Sequence, residues 1–234
     1  MGAVFYADHS SFASDGCPTD SRYHDDEEEA MNASAGRDIL SIAIPHQIET
    51  PRLLMRTYQL PDASVLTEIF RKERDRLRDD FPSRASLVTE AEVETFFFYT
   101  MRQWRARTAV YFSLWTKVSP TYVGEVGIKE IVWTIPKADL SYFLTKEAEG
   151  KGLATEAVRA LVHLAFDALH IHKLQIRCAV ENVRSQRVAE RCGFLREGVL
   201  RSDAVRADGK TLVDLVYYGM THQDFSSRAS SSHE

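Results

Sequence analysis

The sequence predicts a single mixed α/β domain with elements in the order β-α-α-β-β-β-α-β-α-β-β. Three observations carry that expectation. Apolar spacing is helical over 62–104, strand-like and β-branched over 109–144, and helical again from Leu153 to Leu169. A glycine turn, Gly150-Lys151-Gly152, separates the last of those strands from the long helix. Finally, Asp208-Gly209 lies between two strand-like runs, which is a strong hairpin signal.

Each element has a local reason. Arg52–Thr57 reads as the first strand. Pro61-Asp62 opens a helix with Asp62 as N-cap and Val65, Leu66, Ile69, Phe70 and Leu77 at helical spacing. Thr89 and Glu92 have the spacing of a capping box, and Val93, Phe96, Phe97, Met101 and Trp104 form the apolar stripe of the helix that follows. Ala109–Thr116 and Tyr122–Trp133 are strands joined at Ser119-Pro120, and Ala138–Leu144 is a third. After the long helix come a strand at Leu174–Val180 and a short helix at Ser185–Arg191 stopped by Gly193. Val199–Val205 and Leu212–Tyr218 close the chain as a hairpin.

Composition bounds the function. The 234 residues, 44% hydrophobic and 27% charged, suit one globular domain. No apolar run approaches the roughly 18 residues of a membrane span, and no secretory or transit pattern precedes the domain, so no membrane partner and a cytoplasmic setting are expected. Cys17, Cys178 and Cys192 are too scattered for a disulfide framework or zinc cluster, and no metal site is expected. The net charge of −5 is concentrated at one end. Residues 1–45 hold two basic and nine acidic side chains, leaving 27 basic against 25 acidic beyond them. A nearly neutral body excludes the electrostatic footprint of a nucleic-acid binder. Residues 1–37 read as a disordered acidic tail, 38–228 as the folded domain and 229–234 as a short disordered tail.

The segment from 140 to 169 is the most informative. Glycines let backbone N–H groups converge, and the following helix adds its own unpaired N–H groups and dipole, an arrangement that favours phosphate. The spacing matches neither a P-loop nor a dinucleotide fingerprint, because Thr155 stands where the third glycine of the latter belongs. Local residues alone leave two readings open, a phosphate cradle and a glycine pair that merely tightens a turn.

The longer stretch resembles the Gcn5-related N-acetyltransferase (GNAT) superfamily, in its RimJ/RimL-like branch. The resemblance rests on Glu149-Gly150-Lys151-Gly152-Leu153-Ala154 as the pyrophosphate loop, Asn182-Val183-Arg184-Ser185-Gln186-Arg187-Val188, and the Gly193-Phe194 helix exit. Arg52–Arg56 is similar to the branch's opening strand, and Arg201, Asp214 and Tyr218 fall in its closing hairpin. The resemblance implies a GNAT-like acyltransferase fold with a splayed central sheet, and acetyl-CoA as co-substrate. It implies cofactor contacts from backbone around Phe143, Leu144 and Thr145, from Gly150, Lys151, Gly152, Leu153 and Ala154, and from Asn182. It also implies direct attack by an amine acceptor, either a protein or peptide N-terminus or a small molecule, in a ternary complex, and it admits a homodimer.

An amine must be neutral to attack. A lysine-like amine costs roughly 4.6 kcal/mol to deprotonate at pH 7, an α-amino group only about 1. The candidate carboxylates are Asp139, standing where the branch often has Glu, and Glu125 and Glu130 on or beside the preceding strand. Many relatives carry a proton-donating tyrosine five residues before the Phe of the Gly-Phe exit, a position held here by Ala189. Ser185, one turn earlier on the same face, is the nearest hydroxyl, either as donor to the leaving sulfur or as a helix cap. Glu149 is a second departure, a carboxylate where the family has Gln or Arg beside a diphosphate. Together these departures leave a non-catalytic acyl-CoA-binding module as the alternative, and an interaction protein acting through its acidic tail as a third reading.

Overall fold

The structure, a computed structural model, describes residues 38–231, the last three as backbone only. The expected acidic tail, 1–37, and residues 232–234 lie outside the described residues. The strands are β1 (Gln47–Glu49), β2 (Leu53–Arg56), β3 (Val110–Thr116), β4 (Tyr122–Val132), β5 (Lys137–Leu144), β6 (Lys173–Ala179), β7 (Leu195–Val205) and β8 (Leu212–Thr221). The helices are α1 (Ala63–Leu77), α2 (Pro82–Ala85), α3 (Glu90–Ala106), α4 (Leu153–His163), α5 (Val183–Cys192) and α6 (His222–Ser231).

All eight strands form one mixed sheet in the order β1-β2-β3-β4-β5-β6-β8-β7, as the mixed α/β expectation requires. Every neighbouring pair is antiparallel except β5 and β6. Strand alternation feeds two cores. On β3, Val110, Phe112 and Leu114 join the core that holds Leu153, Ala157, Val158 and Leu161 of α4. Trp115 of β3, Tyr122 of β4 and Phe143 of β5 join a second core with Leu66, Phe70, Phe96 and Phe97 from α1 and α3.

The parallel pair is short. Lys137, Ala138 and Asp139 register with Lys173, Leu174 and Gln175, and the pairing stops there. Beyond that point β5 stays with β4 as far as Leu144, while β6 stays with β8 as far as Ala179. The sheet therefore opens between Asp139 and the ends of both strands.

Local expectations fare unevenly. The capping box is formed: Thr89 Oγ1 accepts from Glu92 N–H, and the Glu92 carboxylate accepts from Thr89 N–H. Thr89→Ala should lose about 1 kcal/mol of stability, read as a lower melting temperature. Asp62 is a correction. It caps nothing with its side chain but forks the Arg56 guanidinium at 2.6 and 2.9 Å. Val65 is exposed, and the buried face of α1 carries Glu73 instead. The long helix ends in one π turn, Leu164–Ala168. β1 and α2 were not expected, α5 starts at Val183, and β7 begins at Leu195. α6 runs to Ser231, into the segment expected to be tail.

Candidate active site

The opening of the sheet is continuous with a cavity of about 1150 Å³, whose walls come from β5, β6, the α4 and α5 N-termini and the α1–α2 segment. Gly150 and Gly152 both lie on it in left-handed conformation, φ +74° and +75°. Such φ values are natural to glycine and strained for other residues, so the sequence demand is backbone geometry. Gly152 is the N-cap of α4 and carries no side chain to satisfy the first-turn N–H groups. The turn is fixed from outside: Arg52 donates to the Lys151 carbonyl (2.8 Å) and pairs with Glu156 of α4 at 2.6 Å. Of the expected cofactor positions here, Gly150, Gly152 and Ala154 line the cavity. The Lys151 side chain is exposed and Leu153 is buried in the core, so any contribution from these two is through backbone.

Glu149 is surrounded by cations. Arg76 of α1 (3.0 Å), Lys146 (3.4 Å) and Arg184 of α5 all reach its carboxylate. Arg76 also pairs with Glu73 (2.5 Å), so two carboxylates meet three cations beside the glycine turn, which leaves the locality positive by one charge. The repulsion expected of a carboxylate at a diphosphate site is met by this arrangement.

The free edge of β5 follows from its register. Thr145 N–H donates to the Val123 carbonyl of β4, so alternation aims the backbone groups of Phe143 at β4 as well. Those of Tyr142 and Leu144 face the opening. This corrects the expected contact set: Tyr142 and Leu144 offer the pairing edge, Phe143 contributes only its ring, and Thr145 does not line the cavity. The Leu144 carbonyl accepts from the Arg76 guanidinium.

The candidate carboxylates separate. Asp139 lines the cavity where β5 leaves β6, and Arg177 of β6 pairs with it at 2.8 Å. Burial pushes its carboxyl above the usual range, against the pull of Arg177. Glu130 forks the same Arg177 at 2.7 Å from a half-exposed position off the cavity. Glu125 is 1% exposed and is not part of the cavity wall. Its oxygens accept from Arg84 at 2.7 and 3.1 Å and from the Tyr58 hydroxyl. Glu125 is thus enclosed in a buried ion pair and does not lie in the cleft where it was expected. What faces the cavity is Arg84, whose guanidinium lies over the Phe96 ring (4.2 Å) and the Tyr111 ring (5.1 Å). With Phe81, Tyr99 and Phe143 these rings make an aromatic wall.

On α5, Asn182 is the cap: its Oδ1 accepts from Ser185 N–H at 3.1 Å, and its Nδ2 donates to Asp80 at 3.3 Å. Ser185 is therefore the capped residue, not the cap. Its hydroxyl lies 2.8 Å from the Tyr142 hydroxyl. Cys178 borders the cavity as a free thiol whose pKa burial pushes up. His163, His170 and His172 are off the cavity. Among the described residues no group of three or more His, Cys, Asp or Glu could hold a metal ion, and no helix is long and apolar enough to cross a membrane. Arg76, Arg84 and Tyr142 were missed as site residues. No local signal marks the two arginines, whereas Tyr142 is only three residues from Asp139 on the same strand.

A parallel strand pair thus opens beside a left-handed glycine turn and a helix N-terminus without a side-chain cap. The chain belongs to the GNAT acetyltransferase family: residues 52–195 match the family model described as "Acetyltransferase (GNAT) domain". It is 42% identical over 102 residues to "Putative ribosomal N-acetyltransferase YdaF" of Bacillus subtilis (strain 168), an alignment spanning 44% of this chain and 55% of that one. The chain thus spans about half the length of that relative. The solved "Structure of a putative ribosomal-protein-serine acetyltransferase from Vibrio cholerae" is similar at 29% identity and TM-score 0.62, over 75% of this chain and 97% of that one. Microcin C7 self immunity acetyltransferase MccE, solved with acetyl-CoA and AMP, shares the fold at TM-score 0.70 and 22% identity, over 77% and 98% of the two chains.

Proposed function

We propose that this chain transfers an acetyl group from acetyl-CoA to a primary amine by direct attack in a ternary complex, and that the amine is a peptide or protein α-amino group or a small-molecule amine of similar basicity. The observation that carries the reading is the opening of β5 from β6 beside Gly150 and Gly152. The residues present suit the co-substrate. The α4 N-terminus and the Arg76–Glu149–Arg184 cluster suit the diphosphate, and the Tyr142 and Leu144 backbone groups suit the amides of its arm. Acetyl-CoA supplies an activated thioester, and the chain's own groups bind, orient and handle protons. The cations around Glu149 answer one of the two departures that favoured a non-catalytic acyl-CoA-binding module, the other being Ala189. A cytoplasmic setting fits the free thiols Cys178 and Cys192.

Asp139 takes the amine proton, directly or through water. Burial makes it a stronger base than a free aspartate although Arg177 offsets part of that gain, and a carboxylate still suits an amine already partly neutral at pH 7 more than a lysine-like one. Asp139→Asn should lower turnover about 10²-fold, the low end for general-base loss, with acetyl-CoA affinity unchanged. The wild-type rate should fall as pH drops through the raised Asp139 pKa, and that acid limb should vanish in the variant. The test of the function is thiol release from acetyl-CoA over a panel of peptide N-termini, polyamines and amino sugars. Release with α-amino acceptors supports the reading; binding of acetyl-CoA with no release on any acceptor overturns it.

A further inference from the structure

Tyr142 and Ser185 stand on opposite sides of the opening, one on β5 and the other in the first turn of α5. Their hydroxyls are 2.8 Å apart, and the Tyr142 hydroxyl is also 3.0 Å from the Ser185 carbonyl. Both residues line the cavity. The serine backbone is immobilised by the Asn182 cap. Each hydroxyl carries a single proton, so the pair has two arrangements. In one, Ser185 donates to Tyr142 and Tyr142 donates to the Ser185 carbonyl. In the other, Tyr142 donates to Ser185 Oγ, and the serine proton is released toward the cavity or the Cys178 thiol that borders it.

Resting on the proposed acetyl transfer, we infer that Tyr142 is a positioning residue which turns the Ser185 proton toward the leaving sulfur. In that reaction the amine nitrogen bonds to the acetyl carbon as the carbon–sulfur bond breaks. The electron pair of the broken bond goes to sulfur, and the proton lost by nitrogen ends on sulfur by way of Asp139 and water. The Ser185 O–H donates a hydrogen bond to the sulfur while its charge develops, and Tyr142 backs that donor. Burial holds the Tyr142 phenol above its usual pKa, so its proton stays in place and the pair works by hydrogen bonding.

The test uses the full chain with Tyr142→Phe, Ser185→Ala, the double variant and Ser185→Thr. Tyr142→Phe and Ser185→Ala should each lower kcat about 10- to 100-fold, the effect of one hydrogen bond to a charged atom, with KM for acetyl-CoA unchanged. The double variant should be no slower than Ser185→Ala, and Ser185→Thr should keep most activity only while Tyr142 is present. A second readout needs no acceptor: the pH at which bound coenzyme A ionises, followed by the ultraviolet absorbance of its thiolate. A donor at sulfur lowers that pH, and Tyr142→Phe should raise it. Wild-type kcat and thiol ionisation in Tyr142→Phe, or losses that simply multiply in the double variant, overturn the inference. If wild type binds coenzyme A but acetylates no acceptor, the transfer reading fails while the thiol readout still decides on Tyr142. If coenzyme A does not bind at all, both fall together.

Discussion

Gly152→Asp should abolish the thermal stabilisation expected of saturating acetyl-CoA on the wild-type chain. A ligand that binds only the folded state at a hundredfold excess over its Kd contributes about 2.7 kcal/mol, several degrees of Tm for a domain of this size. Gly152 holds φ +75° at the N-cap of α4, where the first-turn N–H groups have no side-chain acceptor. A Cβ there meets only the Arg52 guanidinium at 3.5 Å, an ordinary contact, so the space exists and the cost to the free protein is backbone strain. Aspartate is among the residues that tolerate the left-handed region best, so the fold should survive with a loss of about 1 kcal/mol. Its carboxylate would, however, occupy the place where the diphosphate charge is to sit and could cap those N–H groups itself. Gly152→Ala separates the two effects, since it adds the strain without the charge and should retain much of the ligand shift. An undiminished shift in Gly152→Asp would move the diphosphate site away from this turn.

The contrast between that glycine and the arginines shows what the sequence could and could not disclose. Gly150 and Gly152 were legible because a positive φ restricts residue type at the position itself. The Asn182 cap is equally local, since the group it satisfies is three residues away, although Asn182 was expected as a cofactor contact and Ser185 as the cap. Arg84 and Arg76 had no such signature. Arg84 meets its partner 41 residues later in the chain, and Arg76 reaches Leu144 and Glu149 across 68 and 73 residues. In the sequence both sit in polar surroundings that read as a solvated helix face and a loop. Glu149 was read correctly as an anomaly, but its meaning depended on three cations that only the fold assembles. The strands from β3 to β6 were clear from alternation, whereas β1 has three residues and no buried one, too little for any pattern to register. Glu125 erred in the opposite direction. A strand acid at the right position suggested an open cleft, because nothing local announced that Arg84 and Tyr58 would enclose it.

Arg84→Ala should destabilise the chain by about 3–5 kcal/mol, the characteristic cost of leaving one member of a buried ion pair without the other. Glu125 is 1% exposed, and in this variant its carboxylate keeps only the Tyr58 hydroxyl. Arg84 lines the cavity, so the space it vacates opens toward Glu125, and water entering there places the loss toward the lower end of that range. Glu125→Gln should be destabilising too, because it preserves shape while leaving the Arg84 charge without its counterion over the Phe96 and Tyr111 rings. Replacing both partners with apolar residues of similar volume, Arg84→Met with Glu125→Leu, should recover most of the loss, since neither charge then has to be desolvated. Urea unfolding at constant m-value measures all three. The same set decides whether Glu125 has a part in the reaction. If it were the base, Glu125→Gln would unfold at the wild-type urea midpoint and lose turnover. The geometry calls for the reverse: a lowered midpoint, with turnover on a small α-amine within a few-fold of wild type wherever the variant remains folded.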